Sequence, residues 1–250
     1  MLTPAALSDT RRLLAAKALR GFGDGYVSLL LPAYLLALGL RPFEVGLIAT
    51  STLLGSGVLT LLVGRVAGRY GHRTLLLAGA ALMTATGLGV ASLDAFWPLM
   101  VVAFVGTLNP SGGDVSVFMP IEHALLASGA EGKARTSAFA RYSLVGSLSA
   151  ALGALAAGLP AAASRLAGLD LQAGLQAMFV LYALLGVGVA VLCGGIRAPS
   201  SAQAVAPGAG LGPSRRRVHV LAALFSLDAF GGGFVVQSLL ALWLYQRFNL

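Results

Sequence analysis

Asp24 stands four residues after Arg20 in "RGFGDGYVSLLLPAYLL", at the head of an otherwise apolar run. Four residues apart on a helix, the two side chains share a face and can form a structural ion pair. A second reading is chemical: apolar surroundings favour the neutral form of a carboxyl, the property of a group that takes up and releases a proton. Asp228, in "SLDAFGGGFVV", occupies a later apolar run. Asp114 and Glu122, in "GGDVSVFMPIEHALL", are eight residues apart and fall near one helix face. Two carboxylates so placed can attract a cation, or pair with Arg69, Arg73 or Arg141 from neighbouring loops. His123 beside Glu122 does not complete a metal site, because adjacent helical residues point apart. Cys193 is alone, which excludes an intrachain disulfide and a cysteine-based zinc site. There is no nucleophile motif and no phosphate-binding loop. No catalytic residue, metal or cofactor is therefore expected, and the chain does not read as an enzyme.

The elements that must position these groups follow from composition. Hydrophobic residues make up 57% of the 250, charged residues only 10%, and there are 33 glycines; mean hydropathy is +0.85. Charged residues are about a quarter of an ordinary soluble domain, so this is the composition of a membrane protein. The net charge of +8 does not point to nucleic acid, because the basic residues form short clusters between apolar runs rather than a stripe with interleaved aromatics.

A membrane-crossing helix needs roughly 20 mostly apolar residues. Seven stretches meet that length, at residues 14–38, 45–66, 74–93, 96–119, 137–158, 173–193 and 218–245. The sequence thus predicts an all-α membrane protein with seven transmembrane helices. The first run is too long for a signal peptide and more spans follow, so it reads as an uncleaved helix. Orientation follows from the lysines and arginines that cytoplasmic loops retain. With the N-terminus inside, the inner segments hold Arg11, Arg12, Lys17, Arg20, Arg65, Arg69, Arg73, Lys133, Arg135, Arg141, Arg197, Arg215, Arg216 and Arg217, leaving Arg41, Arg165 and Arg247 outside. "NPSGG" at residues 109–113 predicts a kinked or locally opened fourth helix, tolerated only where protein or water satisfies the freed backbone. In the fifth span, glycines and alanines at helical spacing favour close helix packing.

"GIRAPSSAQAVAPGAGLGP" at residues 195–213 has the composition of a flexible linker. The organisation is then a six-helix unit at 1–194, a cytoplasmic linker at 195–217 and a seventh helix at 218–250. The first and seventh spans are weakly alike, "GYVSLLLPAYLLALGL" against "GFVVQSLLALWLYQRFNL", as parallel halves would be. At the 208-residue offset Asp228 falls opposite Arg20, and the two could pair across the halves.

Six spans, a basic linker and a restart resemble the major facilitator superfamily (MFS) of secondary transporters. The carrying motif is "GRVAGRYGHR", where Gly64, Arg69, Gly71 and Arg73 match the family's loop between helices two and three, and Gly68 replaces its acidic residue. The resemblance implies a six-helix N-terminal half plus the first helix of the C-terminal half, in a chain that stops before helices 8–12. It implies alternating-access transport of a small molecule across a lipid bilayer, with proton-coupled efflux one form of it, in a bacterial inner membrane. Asp24, Arg20, Tyr26, Tyr34 and Asp228 become candidates for coupling or substrate contact, because the first helices of both halves, with Phe234 and Trp243, line the family's cavity. Gly64, Gly68, Arg69, Gly71 and Arg73 become a gating loop whose missing acid Asp114 or Glu122 could supply. Two departures lower the drug-antiporter reading: no Gly-Pro pair in span five, and Val102 where the family places an arginine before Gly106. The alternative is a non-transporting membrane protein or inactive seven-helix fragment. A rhodopsin-like protein is excluded, since the seventh span has no lysine.

Overall fold

The computed structural model describes residues 4–67, 69–110, 117–129, 132–196, 215–232 and 237–248. These residues form ten helices: α1 (Pro4–Ala37), α2 (Pro42–Val66), α3 (His72–Ser92), α4 (Phe96–Val105), α5 (Met119–Gly129), α6 (Gly132–Ala156), α7 (Leu159–Ala167), α8 (Leu171–Gly194), α9 (Arg215–Gly232) and α10 (Gln237–Phe248). Helix starts and stops are written locally. Gly39 takes a left-handed φ of 85° to end α1, and Glu44 accepts the Arg41 backbone N–H at 2.8 Å as α2 begins. Asp170 caps α8 by accepting from the Ala173 N–H at 2.8 Å.

α1 is the hub, packed on α6 and α8, while α3 packs on α8 and α2 on α4. The α1/α6 seam is built from small residues. A Cβ on Gly21 would lie 2.9 Å from the Gly146 carbonyl oxygen, one on Gly25 would strike the backbone of Ala150, and one on Gly153 the backbone of Phe22. Only glycine permits such an approach, which gains van der Waals contact where lipid leaves no hydrophobic driving force between helices. On α6, Leu144, Leu148, Leu152 and Leu155 are exposed, whereas Tyr142, Gly146 and Gly153 are buried. An apolar outer face over a packed inner one is the pattern of a helix whose solvent is lipid.

The sequence predicts seven spans; α2, α3, α8 and the continuous α6–α7 segment Gly132–Ala167 are the four helical stretches long and apolar enough to cross a membrane among the described residues. The difference arises at three places. α1 is 34 residues long, but Lys17, Arg20 and Asp24 dilute its apolar character. The expected seventh span holds two helices, α9 and α10, with residues 233–236 outside the described residues. The expected fourth span, 96–119, ends as a helix at Val105 and leaves only the ten residues of α4.

That break satisfies its backbone with side chains, as a membrane interior requires. The Thr107 N–H donates to Thr86 Oγ1 at 3.3 Å. The Tyr182 hydroxyl donates to the Thr107 carbonyl at 3.1 Å and lies 3.2 Å from Thr107 Oγ1. The chain leaves the helix at Gly106, where a Cβ would be 2.6 Å from Thr86 Cγ2, and Asn109-Pro110 disfavours re-entry. Tyr182→Phe is expected to lower stability by about 1–3 kcal/mol by orphaning the Thr107 carbonyl, measured as a shift in thermal unfolding of the protein in lipid nanodiscs.

Candidate functional site

The bundle encloses a charged centre. Arg20 of α1 is 4% exposed and Glu122 of α5 is fully buried. Arg20 Nη2 donates to Glu122 Oε2 at 2.6 Å, and the Tyr142 hydroxyl of α6 donates to the same oxygen at 2.6 Å. The Arg20 guanidinium carbon lies 3.9 Å from the centre of the Phe118 ring, within cation–π range. One turn earlier on α1, buried Lys17 places Nζ 4.9 Å from the centre of the Tyr142 ring. His123 stacks edge-on against Phe139 and Tyr142.

Local sequence explains the convergence. Lys17, Arg20 and Asp24 are spaced by three and four on α1, so all three lie near one face. Gly146 leaves room for the Lys17 side chain, whose Cε a Cβ there would strike. α5 starts immediately after Phe118, and the Glu122 backbone N–H donates to the Phe118 carbonyl at 2.9 Å; this sets Glu122 one turn inside its helix.

The pair is held end-on. Arg20 Nη1 and Glu122 Oε1 are buried and have no hydrogen-bond partner. Buried arginine–carboxylate pairs commonly engage as a two-bond fork; in this protein one donor and one acceptor of the fork stay open.

The structure distributes the candidates read from the sequence as follows. Arg20 gives its ion pair to Glu122, while Asp24 lies half-buried on the same helix, near enough to contribute to the field at Arg20. Glu122 is accordingly drawn into the bundle and is not the acid of the loop arginines: Arg69 and Arg73 are exposed. The reason is that α5 turns its acidic first turn towards α1 and α6 rather than towards the α2/α3 loop. Asp114 and Gly68 lie outside the described residues. Gly64 lies in the last turn of α2, Gly71 precedes α3 in an extended conformation, and the Arg69 N–H bonds the Val66 carbonyl at 2.9 Å. Asp228 is exposed on α9 and is not brought to Arg20.

Tyr26 and Tyr34 are fully buried and tie helices together. The Tyr26 hydroxyl donates to the Met178 carbonyl of α8 at 3.0 Å, and that of Tyr34 to the Val90 carbonyl of α3 at 3.2 Å. Phe234 lies outside the described residues, and Trp243 is exposed on α10. Sequence reasoning missed Tyr142 and Lys17. The signal for Tyr142 was the one tyrosine of α6, at the head of its glycine-, alanine- and leucine-rich part; Lys17 was hidden among the basic residues of the N-terminus.

Comparison with known proteins gives this geometry a family. The family model described as "Major Facilitator Superfamily" matches residues 13–250. An uncharacterized membrane protein of Saccharomyces cerevisiae is 32% identical over 181 residues, 71% of this chain and 40% of that protein. A protein of Pectobacterium atrosepticum named "Putative multidrug resistance protein MdtD" is 34% identical over 101 residues, 38% of this chain and 22% of its own length. Its namesake in Cronobacter sakazakii is 36% identical over 92 residues, 35% of this chain and 20% of its own. The chain thus spans two-fifths or less of the length of these relatives. With a family match over nearly its whole length and a bundle of apolar helices around a buried ion pair, the chain belongs to the Major Facilitator Superfamily and is a multi-pass integral membrane protein.

Proposed function

We propose that the protein contributes to secondary active transport of a small molecule by alternating access, coupled to protons and working in the export direction that the name of its MdtD relatives suggests. The observation that carries this reading is the Arg20–Glu122 pair inside an apolar bundle. Burying two ions strips each of its water and is costly even when they pair, so the retention of this pair calls for a role. In this reading residues 1–194 form the six-helix first half, 195–217 a cytoplasmic linker and 218–250 the first helix of the second half, with the N-terminus in the cytoplasm of a bacterial cell. Asp24 and Arg20 take part in coupling. The loop of Gly64, Gly68, Arg69, Gly71 and Arg73 gates the cytoplasmic side, and Asp228 joins the second half to the cycle.

The test uses proteoliposomes made with the protein as its own cell makes it, loaded with a pH-sensitive dye and challenged with a panel of amphipathic solutes including ethidium and benzoate. At least one solute is expected to evoke a proton movement that a protonophore abolishes. Failure of every solute, in vesicles where the protein is correctly folded, would remove the transport reading.

A further inference from the structure

The open edge of the ion pair has a definite chemistry. Arg20 Nη1 is a donor and Glu122 Oε1 an acceptor, both buried and both without a partner. They belong to the same two groups that the Nη2–Oε2 bond joins at 2.6 Å. Leaving charged groups unsatisfied in a buried site is costly, so the edge is built for something that accepts from one atom and engages the other. The remaining ionisable groups constrain what that is. α1 contributes Lys17 and Asp24, α5 contributes His123, and α6 contributes Tyr142. Tyr182 and Cys193 of α8 also lie within electrostatic reach. Lys17 and Arg20 balance Asp24 and Glu122 in charge, so a lone anion or a lone cation would unbalance the centre.

We propose that this open edge binds a small organic carboxylate together with one proton, with Glu122 as the proton acceptor. This rests on the transport reading and names its substrate class. One O–H bond forms, between a proton taken from water and Glu122 Oε1; no other covalent bond changes. The new O–H donates to one oxygen of the ligand carboxylate, and Arg20 Nη1 donates to the other. Nη2 of Arg20 and the hydroxyl of Tyr142 keep their bonds to Oε2, so the pair need not separate. Ligand anion and proton enter as a neutral unit, and each raises the affinity for the other. Phe118, packed on the guanidinium, fixes the plane in which the open Nη1 lies.

The probe is benzoate, titrated calorimetrically into the protein in nanodiscs, in two buffers of different ionisation enthalpy so that proton uptake is counted. Wild-type protein is expected to take up about one proton per benzoate, and affinity to fall as pH rises, because ligand and proton bind together. Glu122→Gln carries an amide N–H where the proton would sit. It is expected to keep benzoate binding, take up no proton and lose the pH dependence. Arg20→Gln is expected to weaken binding at least tenfold. The proposal is overturned if wild-type protein does not bind benzoate, binds it without proton uptake, or binds benzyl alcohol equally well, or if E122Q still takes up a proton. Because the readout is equilibrium binding, failure here beside ethidium-driven proton movement in vesicles sinks the carboxylate assignment and leaves transport standing.

Discussion

Replacing Glu122 by alanine is expected to destabilise the bundle by about 3–5 kcal/mol, because the Arg20 guanidinium stays buried after its ion-pair partner is gone. The Tyr142 hydroxyl loses its acceptor in the same change, which adds to the cost. Removing both charges is a different matter. A double variant, Arg20→Met with Glu122→Met, fills the space with apolar side chains of similar reach and is expected to lie within a few kcal/mol of wild type, on either side of it. The comparison is read by thermal unfolding in nanodiscs. Equal losses in E122A and in the double variant would mean that the bundle depends on these side chains for shape, not for charge balance.

The α1/α6 seam carries the second large effect. Gly25→Ala places a methyl against the backbone of Ala150, and Gly153→Ala places one against the backbone of Phe22. Backbone cannot rotate aside as a side chain can, so α1 and α6 must separate. Each substitution is expected to cost about 1–3 kcal/mol as overpacking does, with a further loss of the charged centre, since Lys17, Arg20 and Tyr142 face each other across this seam. Gly57→Ala is the control: a Cβ there meets nothing within 4 Å, and the gain in helix propensity makes it neutral or slightly stabilising. The same unfolding assay separates the two classes, and a harmless G25A would show that the helices are not in this close register.

Much of this architecture was legible in the chain itself. The apolar runs located α2, α3, α6 and α8, because length and hydropathy alone decide whether a helix can sit in lipid. "NPSGG" announced a kink or local opening in the fourth run, since proline and glycine weaken a helix, but the helix already ends at Val105. What replaced the helix was not legible. Thr86 and Tyr182 reach Thr107 from α3 and α8, and no local pattern reports a contact across that many residues. Glu122 shows the same limit. Its spacing from Asp114 and the nearness of basic loops suggested a surface partner, yet Arg20, 102 residues away in the chain, takes it. Arg20 itself entered as the helix neighbour of Asp24, whose charge in an apolar run demands an explanation, and helix periodicity could offer no other partner for it. Long-range choice between partners depends on how helices rotate and pack, and that is written in the Gly21, Gly25, Gly146 and Gly153 seam rather than in any one motif.

The most direct test of whether the Arg20–Glu122 pair serves transport rather than assembly is solute-driven proton movement by the Arg20→Met, Glu122→Met double variant in proteoliposomes, beside wild-type protein. The expected result is a folded variant that unfolds near the wild-type temperature and moves no protons. A double variant that moves them at the wild-type rate would contradict a coupling role for the buried pair.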